Sequence, residues 1–342
     1  MQKRSATERV LTMKKEGQKR IAAGLLAALL LLGQGTTLAA YENTYQYPRT
    51  VTVKGEEKTA YLDQKTRAMF SGKVKNPVAY VVPKGWQQDL ETLKSVRVEK
   101  YTPEKKKTKN VIFFLHGGGY ILGNSNNHRD WAIAQSHALG NGDVYMLDYR
   151  YAPDGRYPAA LDDAVAAYKA ILDAGVPAER IILAGDSAGG NLATVLALYC
   201  RDHGLPMPAV LVLYSPWEDA GHLPTHDTNA TSDVVLGKRN VRMFAAVTQN
   251  EDYFRDADLK DPYVSPVYAD LKQLPPTLII GGAQEMFVDD MLLFAGHARE
   301  SGVKVEVHLF PGMSHDWPLI FPELPEAGKT YDLLDSFVRK HI

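Results

Sequence analysis

Ile181-Ile182-Leu183-Ala184-Gly185-Asp186-Ser187-Ala188-Gly189-Gly190-Asn191-Leu192-Ala193 is the stretch from which the rest of the chain reads outward. A short apolar run ends at a glycine, passes through a serine, and continues as a helical pattern from Asn191 to Tyr199. A continuous apolar run of this length predicts a strand buried on both faces, as in a parallel sheet. Gly185-Asp186-Ser187-Ala188-Gly189 has the G-x-S-x-G spacing between strand and helix. Glycines on both sides of the serine let the backbone turn sharply without Cβ clashes. Ser187 is thereby predicted to project from the strand end, at the positive end of the helix, as a nucleophile. The plainer reading of the same residues is a glycine-rich helix start that merely packs closely.

Similar apolar runs flank it. Val111–Leu115, Val144–Leu147, Ala209–Leu213, Thr277–Ile280 and the more alternating Val303–Phe310 complete a set of six. Between them, Leu161, Val165, Tyr168 and Leu172 recur at helical spacing before Gly175 and Pro177, and Asp332–Arg339 reads as a closing helix. Strand and helix in alternation predict an α/β fold with a mostly parallel central sheet and helices on both faces. The connection from Ser215 to Pro276 runs to about 60 residues, far beyond a crossover. Its polar part, about 222–261, is expected to be an insertion over the sheet's edge. Residues 41–94, with some helix near 61–70, are expected to join it as a cap, leaving 95–342 as the catalytic domain, opened by strand-like Ser95–Tyr101.

A serine nucleophile needs a base, an acid behind the base, and donors for the oxyanion. His116-Gly117-Gly118-Gly119-Tyr120 follows the first core strand, and its glycines expose consecutive N–H groups. Gly118, Gly119 and Ala188 are the expected oxyanion-hole donors. Tyr120 is expected to line the pocket beside them, and His116 reads as structural. A phosphate loop is the weaker reading, since no G-K-[ST] or G-x-G-x-x-G follows. His315, in Pro311-Gly312-Met313-Ser314-His315, is the histidine at the end of a late core strand and the expected base. His222 and His226 read as surface residues of the insertion. Glu285, after the fifth strand, is the expected acid. Asp289 and Asp290, a helical turn later, are its rivals and read as loop supports.

At these residues the chain resembles a known family. His116-Gly117-Gly118-Gly119-Tyr120-Ile121-Leu122-Gly123 and Gly185–Ala193 are similar to the two signatures of the hormone-sensitive-lipase-like (bacterial family IV) esterases of the α/β-hydrolase superfamily. Asp148-Tyr149-Arg150-Tyr151-Ala152-Pro153, Tyr157-Pro158-Ala159-Ala160-Leu161, Ser215-Pro216-Trp217 and Leu274-Pro275-Pro276-Thr277 resemble its other blocks. The resemblance covers about residues 95–342 and implies a capped α/β-hydrolase. It implies hydrolysis of small-molecule carboxylic esters, usually with short acyl chains, without a cofactor. Two positions depart from the family pattern: Glu285 stands where Asp is usual, and Asp316 where glycine commonly follows the histidine. A charge beside His315 is expected to raise its pKa or compete for its hydrogen bond. An amidase or lactone hydrolase on the same triad, and a small-ligand receptor without catalysis, are the alternatives.

The whole chain has 342 residues, 45% hydrophobic and 23% charged, with a net charge of -1. That balance argues against a nucleic-acid partner, and Lys105-Lys106-Lys107 reads as a solvated turn. A single cysteine, Cys200, allows no internal disulfide, and no H-E-x-x-H is present to hold a metal. Residues 1–40 read as a secretory signal peptide: Lys14, Lys15, Lys19 and Arg20 precede the apolar run Ile21–Leu32, with small residues at Ala39-Ala40. Twelve apolar residues are short for a bilayer crossing, although an uncleaved anchor at 21–32 is the alternative. Met13 resembles a more usual start. Without residues 1–40 the chain carries 32 basic and 38 acidic residues, a net -6. A secreted or periplasmic enzyme is therefore expected, and a homodimer is compatible with the sequence. The insertion bears Asp227, Asp233, Lys238, Arg239, Arg242, Glu251 and Asp252, too polar for a lid that lies on lipid, so no activation at a lipid surface is expected. Met243, Phe244, Tyr253 and Phe254 are its candidate apolar walls.

Overall fold

Eight strands form one sheet in the order β1-β2-β4-β3-β5-β6-β7-β8. They are β1 (Trp86–Leu93), β2 (Val96–Pro103), β3 (Val111–Leu115), β4 (Val144–Asp148), β5 (Ile181–Asp186), β6 (Val210–Tyr214), β7 (Thr277–Gly282) and β8 (Val305–Phe310). This computed structural model describes residues 51–70, 79–241, 244, 248 and 252–342. The signal segment, with its alternative anchor at 21–32, and Arg242, Met243 and Glu251 of the insertion lie outside the described residues.

From β4 to β8 the strands run parallel, and every residue of β3, β5, β6 and β7 is buried. That burial is why these runs are apolar without alternation. β8 is an edge strand, half-buried along its length, and its sequence alternates accordingly.

The other edge differs from expectation. β1 and β2 pair antiparallel, so the sheet begins at Trp86, inside the segment expected to be cap. Lys94 and Ser95 join the two strands with φ of 47° and 76°. A two-residue turn with both centres at positive φ usually advertises itself with Asn-Gly, and this one does not. Leu90 of β1 is 78% exposed, so hydrophobic patterning gives no signal there either.

Helix α1 (Gly55–Phe70) precedes the sheet; α2 (Asn126–Ala138), α3 (Ala159–Asp173), α4 (Ser187–Asp202), α5 (Pro224–Thr228), α6 (Val288–Glu300), α7 (Trp317–Ile320) and α8 (Pro325–His341) follow. No helix among the described residues is long and apolar enough to cross a membrane. α2 escapes the sequence reading because its buried side includes Asn126, His128, Asp130, Gln135 and Ser136, which blur the apolar stripe. A reciprocal cap starts it: Ser125 Oγ accepts from the His128 N–H, and the Ser125 N–H donates to His128 Nδ1.

The insertion lies over strand ends, not over the sheet's edge. Asn229 Nδ2 donates to the Glu285 carbonyl at 2.9 Å, Ser232 Oγ to the Gln284 carbonyl at 3.0 Å, and the Val234 N–H to Ser314 Oγ at 3.2 Å. These partners sit on the loops leaving β7 and β8, at the carboxyl end of the sheet, where open α/β sheets bind ligands. α1 docks beside the insertion and the start of α8, with Asp63 3.9 Å from Arg239 and Tyr61 Oη donating to Glu323 at 2.7 Å. The N-terminal segment and the insertion thus touch.

Candidate active site

The turn from β5 into α4 carries Ser187 at φ 52°, a left-handed backbone that a non-glycine residue adopts at a cost of about 1–3 kcal/mol. Backbone crowding fixes the residues around it. A Cβ on Gly185 would lie 2.2 Å from the Gly189 carbonyl oxygen, and one on Gly189 would lie 2.1 Å from that of Leu115. Real side chains never approach so closely, so the G-x-S-x-G glycines are set by strand–helix contact. The Trp217 N–H donates to the Ser187 carbonyl at 3.1 Å and holds the turn from the β6 side.

His315 reaches Ser187 from the loop after β8. Its Nε2 stands 2.9 Å from Ser187 Oγ, and its Nδ1 stands 2.9 Å from Glu285 Oε2. Ser187, Glu285 and His315, separated by up to 128 positions, thus meet in one hydrogen-bonded line. The other carboxylate oxygen of Glu285 accepts from the Gly282 N–H at 2.5 Å and from Ser215 Oγ at 3.0 Å. Burial pushes the Glu285 carboxyl up, and hydrogen bonding to His315 and Gly282 opposes this. Three donors on one carboxylate favour its ionised form. Burial also pulls His315 down, but Asp316 and Glu285 outweigh it and hold the imidazole well above its ordinary value.

The glycine loop after β3 is bolted to the elbow. Asp186 Oδ1 accepts the Gly117 N–H at 3.0 Å, and Asp186 Oδ2 lies 3.2 Å from His128 Nε2. A Cβ on Gly117 would come within 3.0 Å of Ser187 Cβ, which places the loop directly against the serine. Gly118 and Gly119 follow at φ 118° and 61°, a path open to glycine. Ala188 lies in the first turn of α4, where amides lack intrahelical acceptors and no side chain caps the helix.

His116 is structural, as expected: it is fully buried, stacks on Tyr149 at 4.1 Å, and is pushed down to about 3, first by burial and then by His128. Tyr120 differs from its expected place on the pocket wall. Its ring is 2% exposed and stacks on Tyr253 at 4.4 Å, and its hydroxyl donates to Asn191 Oδ1 at 2.6 Å. It ties the glycine loop to α4 and the insertion. Tyr253 and Phe254 are likewise buried and fasten the insertion to the core, with Tyr253 Oη accepting the Ala160 N–H at 2.9 Å.

Two residues of the polar insertion, His226, which reads as a surface residue, and Asp233, are buried anchors. His226 is 4% exposed, with Nε2 2.6 Å from Asp290 Oδ2. Asp233 is wholly buried and accepts the N–H groups of Val235, Leu236 and Met286. Asp289 accepts from the Thr225 N–H at 3.0 Å. Both rival carboxylates therefore steady the insertion and do not meet His315. His222 is exposed and pairs with Asp227. Ser215 was not singled out from the sequence as a functional residue, yet its hydroxyl donates to Glu285 and accepts the Asp316 N–H at 3.1 Å.

Comparison with known proteins agrees with this architecture. Residues 112–319 match a family described as having the α/β hydrolase fold. An acetyl-hydrolase of Streptomyces hygroscopicus is 36% identical over 259 residues, covering 75% of this chain and 83% of that protein. The crystal structure of EstE5 soaked with p-nitrophenyl butyrate superposes with a TM-score of 0.72 at 32% identity, covering 84% of this chain and 99% of that one. An esterase from the bacterial hormone-sensitive lipase family gives a TM-score of 0.70 at 30% identity, over 90% of this chain and 99% of that one. The chain belongs to the α/β-hydrolase fold family. Within it, the chain falls among the hormone-sensitive-lipase-like esterases, serine hydrolases acting on carboxylic esters.

Proposed function

We propose that the protein is an exported carboxylesterase that cleaves short-chain esters through an acyl-enzyme on Ser187. The observation that carries this reading is the line Glu285–His315–Ser187, with both contacts of the imidazole at 2.9 Å. His315 Nε2 takes the Ser187 hydroxyl proton as Oγ bonds to the ester carbonyl carbon. Negative charge then develops on the carbonyl oxygen, facing the N–H groups of Gly118, Gly119 and Ala188. Glu285 fixes Nδ1–H and stabilises the imidazolium. That imidazolium returns its proton to the leaving alkoxide oxygen as the ester C–O bond breaks. Water activated by the same nitrogen attacks the acyl-serine, and the acid leaves with Ser187 restored.

A short acyl chain is supported by the polar insertion across the strand ends, by similarity to a protein named acetyl-hydrolase, and by similarity to EstE5, whose crystal was soaked with p-nitrophenyl butyrate. Export is supported by the basic stretch and apolar run ahead of Ala39-Ala40. Each methylene that fits adds about 0.8 kcal/mol of burial, and the gain stops when the pocket is full. Protein recovered from a secreting host, with its N-terminus near Tyr41, should show kcat/KM peaking between acetyl and hexanoyl p-nitrophenyl esters and falling beyond octanoyl. Its rate should rise smoothly as substrate passes from monomer to emulsion. A palmitoyl optimum or a jump at the emulsion threshold would contradict the substrate class. An intact N-terminus in the membrane fraction would contradict export.

A further inference from the structure

Asp316 follows the base directly, at φ 48°, and is 6% exposed. Its Oδ2 lies 2.9 Å from His315 Nε2, the same nitrogen that faces Ser187 Oγ at 2.9 Å. Its Oδ1 is buried and has no hydrogen-bond partner among the described residues. The Asp316 backbone N–H donates to Ser215 Oγ, which itself donates to the Glu285 carboxylate.

Nδ1 donates to Glu285, whose ionised carboxylate can only accept. Nε2 then carries either a lone pair or a second proton. An anionic carboxylate 2.9 Å from Nε2 is stabilised by a proton on that nitrogen and repelled by a bare lone pair, so the pair favours a protonated Nε2. With that proton on Nε2, the nitrogen has no free lone pair to receive the Ser187 proton.

We propose that Asp316 is a positioning residue that keeps this proton at Nε2 in the resting site, so that His315 becomes a base only when the pair releases it to solvent. The inference rests on His315 being the general base of the proposed function. The surroundings favour retention of the proton. Glu285 faces the pair from the β7 loop, Asp233 from the insertion, and Asp186 from the end of β5 with His128 on its far side. Ser187 and Ser215 contribute hydroxyls, and Phe287 sets its ring edge-on to the imidazole at 5.1 Å. Burial pushes the Asp316 carboxyl up to about 7, with His315 opposing and Asp186 adding to the rise. Held in a backbone region costly to most side chains, with an oxygen left unpaired, this aspartate has the marks of a constraint kept for function.

The test is the pH dependence of kcat/KM, which reports the free enzyme's essential groups. Wild type should lose activity on an acid limb set above the ordinary imidazole range, because Asp316 and Glu285 hold His315 protonated. Asp316→Gly fits φ 48° without strain, and Asp316→Asn keeps the shape and tolerates that conformation. In both variants the acid limb should move down by at least about one unit, a tenfold larger share of plateau activity well below the wild-type limb. Wild-type activity that holds level to about pH 5 overturns the proposal. So does a folded variant, checked by circular dichroism, whose limb coincides with or exceeds that of wild type. If Ser187→Ala is meanwhile inactive, such a result removes only this inference. An active Ser187→Ala would remove the triad assignment itself.

Discussion

Ser187→Ala should lose about a million-fold in turnover and keep its fold. Among the described residues the hydroxyl has one polar contact, His315 Nε2, and the imidazole keeps Glu285 and Asp316 when that contact goes. No buried group is left without a partner, so thermal stability should hold or rise slightly. The backbone at φ 52° is enforced by the glycine contacts on either side and not by the serine side chain. Kinetics with p-nitrophenyl butyrate, paired with thermal denaturation, separates chemistry from folding. Retention of more than about a tenth of wild-type activity would mean that another group performs the attack.

Glu285→Gln should lose roughly ten-thousand-fold in kcat. The amide oxygen can still accept from the Gly282 N–H and Ser215 Oγ, which fixes the amide's orientation. The NH2 group is then directed at His315 Nδ1, where a carboxylate oxygen now accepts at 2.9 Å. A donor there selects the imidazole tautomer with its proton on Nε2, the wrong nitrogen for a base. Glu285→Asp should keep part of the activity, because charge survives although the reach is one methylene shorter. Asp289→Asn should leave kcat close to wild type, since its carboxylate holds the Thr225 N–H at the start of the insertion. Steady-state kinetics on the three variants decides the matter, and a larger loss in Asp289→Asn than in Glu285→Gln would reverse the assignment of the acid.

The parallel strands and the elbow were legible because burial on both faces writes itself as uninterrupted apolar sequence. β3, β5, β6 and β7 are such strands, and their ends carry the glycine loop, the serine and the acid. β1 was hidden because an edge strand needs little apolar surface and its turn uses Lys94-Ser95. α2 was hidden because much of its buried side is polar. His226 and Asp233 look like surface charge in a polar segment, and only their partners, Asp290 at 64 positions away and Met286 at 53, explain their burial. A buried polar group and a solvated one have the same letter in a sequence. The difference lies in long-range pairing, which no local pattern records. Asp316 was legible as a departure from the family pattern, but its contact with the working nitrogen of His315 required the fold.

Covalent labelling of the wild-type protein by phenylmethylsulfonyl fluoride, read by intact and peptide mass, tests the central claim most directly. The account predicts one sulfonyl group per chain, carried on Ser187, with activity lost in proportion to labelling and no label on Ser187→Ala. A label on a different residue, or a fully labelled Ser187 with esterase activity intact, would contradict it.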